Sequence, residues 1–285
     1  MIVFLNGKFL KAAQAKVSVF DNGFLYGDGV YETLRTYDGR IWQIDEHLKR
    51  LGKSCKLVGI RLPWSFKQIG EWVEKTVQLN GFGNGRESEK AEADSEARIR
   101  ITVTRGENGF DFGPGEKPTI FVQVQRLVPQ PEKFYEKGVA VVTFKAQRYL
   151  PEVKSISLLP MVMGSRLAQQ KKVYEAVFVD AADYVLEGTI TNIFMVENGV
   201  LLSPKKNVLA GTTRDFLMKI AKKNGIKALL ADFKLKDLYA ADEVFITNAP
   251  RGIIPVVKID GRKIGNGRPG AVTLNLLNFH RNECK

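Results

Sequence analysis

Leu186-Glu187-Gly188-Thr189-Ile190-Thr191-Asn192-Ile193-Phe194 sets polar groups inside an otherwise apolar context. Residues 184–186 predict a short strand that Glu187 closes, which suits a carboxylate with a buried cationic partner, or an ordinary turn carboxylate. Residues 190–202 then predict a hairpin, turned at Glu197-Asn198-Gly199 because Asn and Gly tolerate the positive φ of a tight turn. Upstream lie strand signals at 139–144 and 175–180, with an amphipathic helix from about 157 to 172 between them. Downstream, Thr212-Thr213-Arg214-Asp215 starts a helix that ends near Asn224-Gly225, and 245–247 and 253–259 supply late strands. Strands and helices mix without strict βαβ repetition, so the expected class is mixed α/β (α+β).

Two further stretches share this polar-in-apolar character. In Glu152-Val153-Lys154-Ser155-Ile156-Ser157-Leu158-Leu159-Pro160, Lys154 precedes an apolar helix start, where desolvation would favour a neutral, nucleophilic amine. A surface lysine is the simpler reading. In Leu209-Ala210-Gly211-Thr212-Thr213-Arg214-Asp215, a glycine precedes hydroxyls at a helix N-terminus, a geometry that suits a phosphate or a plain threonine cap.

The N-terminal half is read the same way. Residues 2–5 alternate as a strand and turn at Asn6-Gly7, and 30–44 give two strands joined at Asp38-Gly39. Helices are expected from Asp45 and over 65–79, the second stopping at Asn80-Gly81. Residues 83–96 read as a surface loop, 97–104 and 119–125 as strands. Ile99, Ile101 and Val103 share one strand face, which turns Arg98 and Arg100 to the other. Two domains are expected: 1–125, a Pro-containing linker over 126–138, and 139–285.

Composition narrows the chemistry. The 285 residues hold 43 Lys+Arg against 31 Asp+Glu, a formal charge of +12, and two histidines and two cysteines. No His/Cys cluster has zinc-ligand spacing, and two distant thiols make no disulfide framework. His47, within Asp45-Glu46-His47-Leu48, reads as part of a solvated helix start. The basic residues are scattered, so an anionic small molecule is expected rather than nucleic acid, and no apolar run is long enough for a membrane span. With no signal sequence visible, the cytoplasm is the expected compartment.

The three stretches, in this order, resemble the fold-type IV pyridoxal-phosphate enzymes: branched-chain aminotransferases, D-amino-acid aminotransferases and aminodeoxychorismate lyases. Phe24-Leu25-Tyr26-Gly27-Asp28-Gly29-Val30-Tyr31-Glu32-Thr33-Leu34-Arg35 is similar to the family too, as are 46–51 and 241–248. The resemblance implies a small N-terminal domain, a larger C-terminal one and a homodimer. It places Lys154 at the Schiff-base lysine, Glu187 opposite the pyridine nitrogen, and Arg50 at the phosphate. Gly211, Thr212 and Thr213 fall in the phosphate turn, Asn248 and Ala249 in a second phosphate and substrate loop, Thr191 and Asn192 beside the cofactor, and Tyr31 in the substrate pocket. Amino acids and 2-keto acids are the implied substrates, exchanged by transamination.

Departures from the family pattern bear on the branch. The 107–111 loop, Glu107-Asn108-Gly109-Phe110-Asp111, lacks the Arg-x-His pair typical of D-amino-acid aminotransferases. The Tyr-x-Arg pair of branched-chain enzymes is replaced by Arg98-Ile99-Arg100, and Pro250 removes a backbone N–H from the carboxylate loop. Thr33 stands where the lyase branch carries a catalytic threonine, so the lyase is the alternative. Arg100, assisted by Arg98 or Arg251, is the expected binder of a substrate carboxylate; an exposed strand face is the competing reading.

Overall fold

The computed structural model describes residues 1–83, 96–110, 112–113 and 117–284. Most of the expected 83–96 loop, and Asp111, lie outside the described residues. The chain divides into two compact units, the first comprising Met1–Val128 with Val153–Leu158, the second Pro129–Glu152 with Leu159–Cys284.

In the first unit the strands are β1 (Ile2–Leu5), β2 (Lys8–Lys11), β3 (Gly29–Tyr37), β4 (Arg40–Ile41), β5 (Ala97–Thr104) and β6 (Thr119–Arg126). They form one antiparallel sheet in the order β2-β1-β6-β5-β3-β4. Its helices are α1 (Asn22–Tyr26), α2 (Ile44–Leu57) and α3 (Phe66–Leu79). Strand alternation sends Val30, Leu34, Ile99, Ile101, Val103 and Val122 into a core with Leu48 and Leu51 of α2 and Ile69 and Val73 of α3. The opposite sheet face carries Tyr31, Thr33, Arg98 and Arg100, with Thr33 paired to Arg100 and Arg35 to Arg98. Ser65 starts α3 through a capping box with Gln68, each side chain bonding the other's backbone N–H.

The second unit holds β7 (Val139–Lys145), β8 (Glu175–Val179), β9 (Val185–Gly188), β10 (Asn192–Glu197), β11 (Val200–Ser203), β12 (Ala228–Leu230), β13 (Glu243–Asn248), β14 (Gly252–Ile259) and β15 (Arg262–Lys263). Their order is β12-β11-β10-β13-β14-β7-β8-β9, with β15 on β14. The sheet is mixed: β7 pairs parallel to β8 and β14, and β11 parallel to β12. Its helices are α4 (Lys133–Lys137), α5 (Leu159–Gln170), α6 (Thr212–Lys223), α7 (Leu235–Ala240) and α8 (Ala271–Glu283). One core cluster joins Ile193, Ile246, Val256 and Leu238; another joins Phe194, Phe245, Leu217 and Leu276.

Residues 129–137 lie in the second unit, where part of the expected linker is helix α4. The helix expected from 157 begins at Leu159, because 154–156 run antiparallel beside β3 instead. That pairing also returns 153–158 to the first unit, which two contiguous domains do not anticipate. Cys55 and Cys284 are both buried. Among the described residues no helix is long and apolar enough to cross a membrane, and no three His, Cys, Asp or Glu are grouped as metal ligands.

Candidate active site

Lys154 is placed by two backbone bonds that tie its own carbonyl and the following turn of chain to β3. The Tyr31 N–H donates to the Lys154 carbonyl at 2.8 Å, and the Ile156 N–H donates to the Gly29 carbonyl at 2.9 Å. A lysine beside a strand edge is thereby fixed at its Cα while its stem stays half-buried. Its Nζ lies 4.7 Å from the Tyr31 ring centroid, and the Arg100 guanidinium lies 3.9 Å from the same ring. Tyr31, Lys154 and Arg100 are thus brought together. Burial pulls Arg100 below its usual pKa, and Arg98 adds repulsion; Tyr31 opposes both. Arg98 itself is exposed, and Thr33 is half-buried opposite Arg100.

The other face of β3 holds a buried carboxylate. Glu32, between the core residues Val30 and Leu34, is 0% exposed. Arg50 of α2 grips it with Nε at 2.8 Å and Nη2 at 2.7 Å, and His47 Nδ1 stands 2.7 Å away. Burial pushes the Glu32 carboxyl up, but the Arg50 charge and hydrogen bonds, with help from His47, outweigh it and hold the pKa at about 2. His47 is therefore not solvated, as its acidic neighbours suggest. Helix α2 starts at Ile44, so residues 44, 47, 48 and 51 share the inward face while Asp45, Glu46 and Lys49 take the outer one. Burial lowers the His47 pKa, only partly offset by Glu32. Arg50, expected at a phosphate, spends one Nε donor and one Nη2 donor of its fork on Glu32.

In the second unit Glu187 has the buried cation its setting called for. Arg148 donates from Nε at 2.7 Å, with Nη2 also at 2.7 Å, and itself reaches the Pro151 carbonyl. The second oxygen, Oε2, accepts the Leu209 N–H at 3.0 Å, and Asn192 Nδ2 donates to the Leu209 carbonyl at 2.9 Å. The 209–211 segment is thereby pinned on both sides by residues of the quoted 186–194 stretch. It leads into α6, whose N-cap is Gly211 with no side-chain cap bond. The plain threonine cap is therefore not what the structure forms. A Cβ on Gly211 would collide with Asn192 Oδ1, so only glycine lets the chain pass this close. The N-terminal amides of Thr212 and Thr213 and the helix dipole favour an anion there.

Asn248 ends β13, donating to the Ile190 carbonyl at 3.3 Å and accepting the Arg251 N–H at 3.0 Å. Ala249 follows in the turn. The Arg251 guanidinium lies 5.2 Å from the Tyr174 ring centroid, and the Tyr135 hydroxyl donates to the Arg251 carbonyl at 2.9 Å. Arg148 goes unmarked in the sequence, and Glu32 and His47, although they lie in the family-like 24–35 and 46–51 stretches, are recognisable in their roles only by their partners.

These residues suit pyridoxal phosphate. The first unit positions a primary amine; the second holds a carboxylate in an ion pair and a helix start with no room for a side chain at Gly211, residue types of the kind this cofactor uses. The architecture is that of the fold-type IV pyridoxal-phosphate enzymes. The chain belongs to the family described as amino-transferase class IV, which matches residues 29–259. It is a pyridoxal-phosphate-dependent aminotransferase, moving an amino group between an amino acid and a 2-keto acid. A Methanocaldococcus jannaschii protein provisionally named branched-chain-amino-acid aminotransferase is 39% identical, over 97% of this chain and 94% of its own. The D-alanine aminotransferase of Bacillus licheniformis is 32% identical with the same coverages. The branched-chain aminotransferase of Thermoproteus uzoniensis, solved with norvaline, superposes with a TM-score of 0.88 at 26% identity, covering 100% of this chain and 94% of that one.

Proposed function

We propose that the amino acids handled are of the branched-chain or D-alanine kind, and that the two polar sets described above bind cofactor and substrate. Support for the substrate class comes from the names of the relatives. The observation that carries the site reading is the cluster on one sheet face: an amine and a guanidinium on the same tyrosine ring, at 4.7 and 3.9 Å.

Pyridoxal phosphate, when bound, supplies the carbonyl for amine exchange and a ring that accepts electrons. Glu187, fixed by Arg148 and Leu209, would serve the ring nitrogen, and Thr191 and Asn192 would help hold the ring. Gly211, Thr212 and Thr213, with Asn248, Ala249 and Arg50, hold the phosphate. Lys154 would take the proton from the substrate Cα as general base and hold it for return as general acid. Arg100, with Arg98 or Arg251, binds a substrate carboxylate, and Tyr31 and Thr33 line the pocket. In this reading the second unit is the cofactor-binding domain and the first unit, to which 153–158 return, is its smaller partner. The working form is a homodimer, as the family resemblance implies, and its compartment is the cytoplasm.

The test is spectroscopic. Purified enzyme should show the bound cofactor's band at roughly 400–420 nm, lost in Lys154→Ala. Bleaching by D- but not L-amino acids, or the reverse, fixes the stereochemistry. Retention of that band in Lys154→Ala would sink the lysine's role. Pyruvate released from aminodeoxychorismate without a keto acid would replace the transaminase reading with the lyase.

A further inference from the structure

Glu175, the first residue of β8, is 3% exposed and has no part in the chemistry described above. One carboxyl oxygen, Oε1, accepts from the Thr189 hydroxyl at 3.0 Å, the Ile190 N–H at 2.8 Å and the Thr191 hydroxyl at 3.1 Å. The other, Oε2, is buried without a hydrogen-bond partner. All three donors belong to the turn between β9 and β10, which delivers Thr191 and Asn192. At the start of that turn a Cβ on Gly188 would stand 2.6 Å from Glu175 Oε1 and collide with the Thr191 hydroxyl. The 188–191 turn is therefore wrapped around a single oxygen.

We propose that Glu175 is a positioning residue of the cofactor cradle, holding the 188–191 turn in the shape that presents Thr191 and Asn192, and that it does so as the neutral acid. The proposal rests on the reading that those two residues flank pyridoxal phosphate. An ionised carboxylate has acceptor sites on both oxygens, and burying a charge with one oxygen bare is costly. Burial accordingly raises the Glu175 pKa above its usual 4.5, against the lowering effects of the Ile190 N–H, Arg251 and the two threonine hydroxyls. Arg251 is the cation facing it, and that guanidinium lies against Tyr174, whose hydroxyl burial pushes up to about 12. A neutral acid with its proton on Oε2 keeps the three acceptances at Oε1 and exchanges a buried anion for one unmade O–H bond, the smaller cost.

The experiment compares Glu175→Gln with Glu175→Val by titrating pyridoxal phosphate into apoenzyme and by infrared spectroscopy at neutral pH. Glutamine, neutral and isosteric, should keep cofactor affinity within about threefold of wild type, while valine, which accepts nothing, should weaken it by about tenfold or more. The carbonyl stretch of a protonated carboxyl should be present in wild type and absent in Glu175→Gln. Wild-type affinity in Glu175→Val, or a Glu175→Gln loss of about tenfold with its melting temperature unchanged, would overturn the proposal. If Glu175→Val does not fold, Glu175→Gln and the infrared band decide alone. The underlying reading fails separately, if Asn192→Ala with Thr191→Ala leaves cofactor affinity unchanged.

Discussion

Glu187 shows why a single carboxylate in a turn is hard to read without its partner. Its pairing with Arg148 sits below a tenth exposed on both sides, so each charge depends on the other for solvation. Arg148→Met would take from Glu187 its charged partner while leaving the Leu209 N–H in place. Removing one member of such a buried pair costs about 3–5 kcal/mol, so the urea midpoint should fall markedly, with the fall persisting at high salt because the pair is not exposed to screening. An unchanged midpoint would show that the pair is not holding the 209–211 segment. Arg100 invites the kinetic counterpart. Arg100→Ala should raise KM for the amino acid while leaving the visible band intact, and unchanged KM and kcat would remove it from substrate binding.

At the level of elements, the 209–211 segment makes the sharpest prediction. Gly211→Ala drives a methyl into Asn192 Oδ1 and sets it 3.3 Å from the Arg214 Cβ. Overpacking of this kind costs about 1–3 kcal/mol, and the displaced Asn192 would loosen Leu209. The variant should bind pyridoxal phosphate more weakly than wild type and melt earlier; Asn192→Gly in the same chain should recover part of the melting temperature by making room. Most elements were legible because their signals are local. The Asn6-Gly7 turn, the Ser65 cap and the 97–104 alternation each depend on a few adjacent residues. Short α1, α4 and α7 carry too few turns to show a period, and α4 hides behind prolines that suggest a linker. Helix α8 follows Gly270 with Leu276, Leu277 and His280 turned inward, a pattern weakened by Asn and Thr between them. Lys154 and Glu187 stood out as polar residues in apolar runs. Glu32, Arg148 and Glu175 did not, because their meaning lies in contacts across 14 to 39 residues of sequence.

For the whole molecule, the buried ionisable groups set opposing slopes on stability against pH. Glu32 binds its proton only near pH 2 when folded but near 4.5 when unfolded. Its contribution is present above 4.5 and is lost as pH falls through that window, about 3 kcal/mol in all. His47, lowered by burial, acts with the same sign: the unfolded chain takes up a proton as pH falls below 6.5 while the folded one resists. Glu175 runs the other way. Its folded pKa is raised, so as pH climbs past 4.5 the unfolded chain gains an ionisation that the folded protein forgoes, and stability declines until the folded acid itself ionises. Glu32→Gln should therefore flatten the acid limb of the melting profile, and Glu175→Gln the alkaline one. The second comparison is the more telling. The melting temperature of Glu175→Gln relative to wild type should be lowest near pH 4.5 and rise as pH climbs above it, because only the wild type carries the proton-linked cost. A difference that stays constant over that range would mean that Glu175 ionises in the folded protein as it does in the unfolded chain.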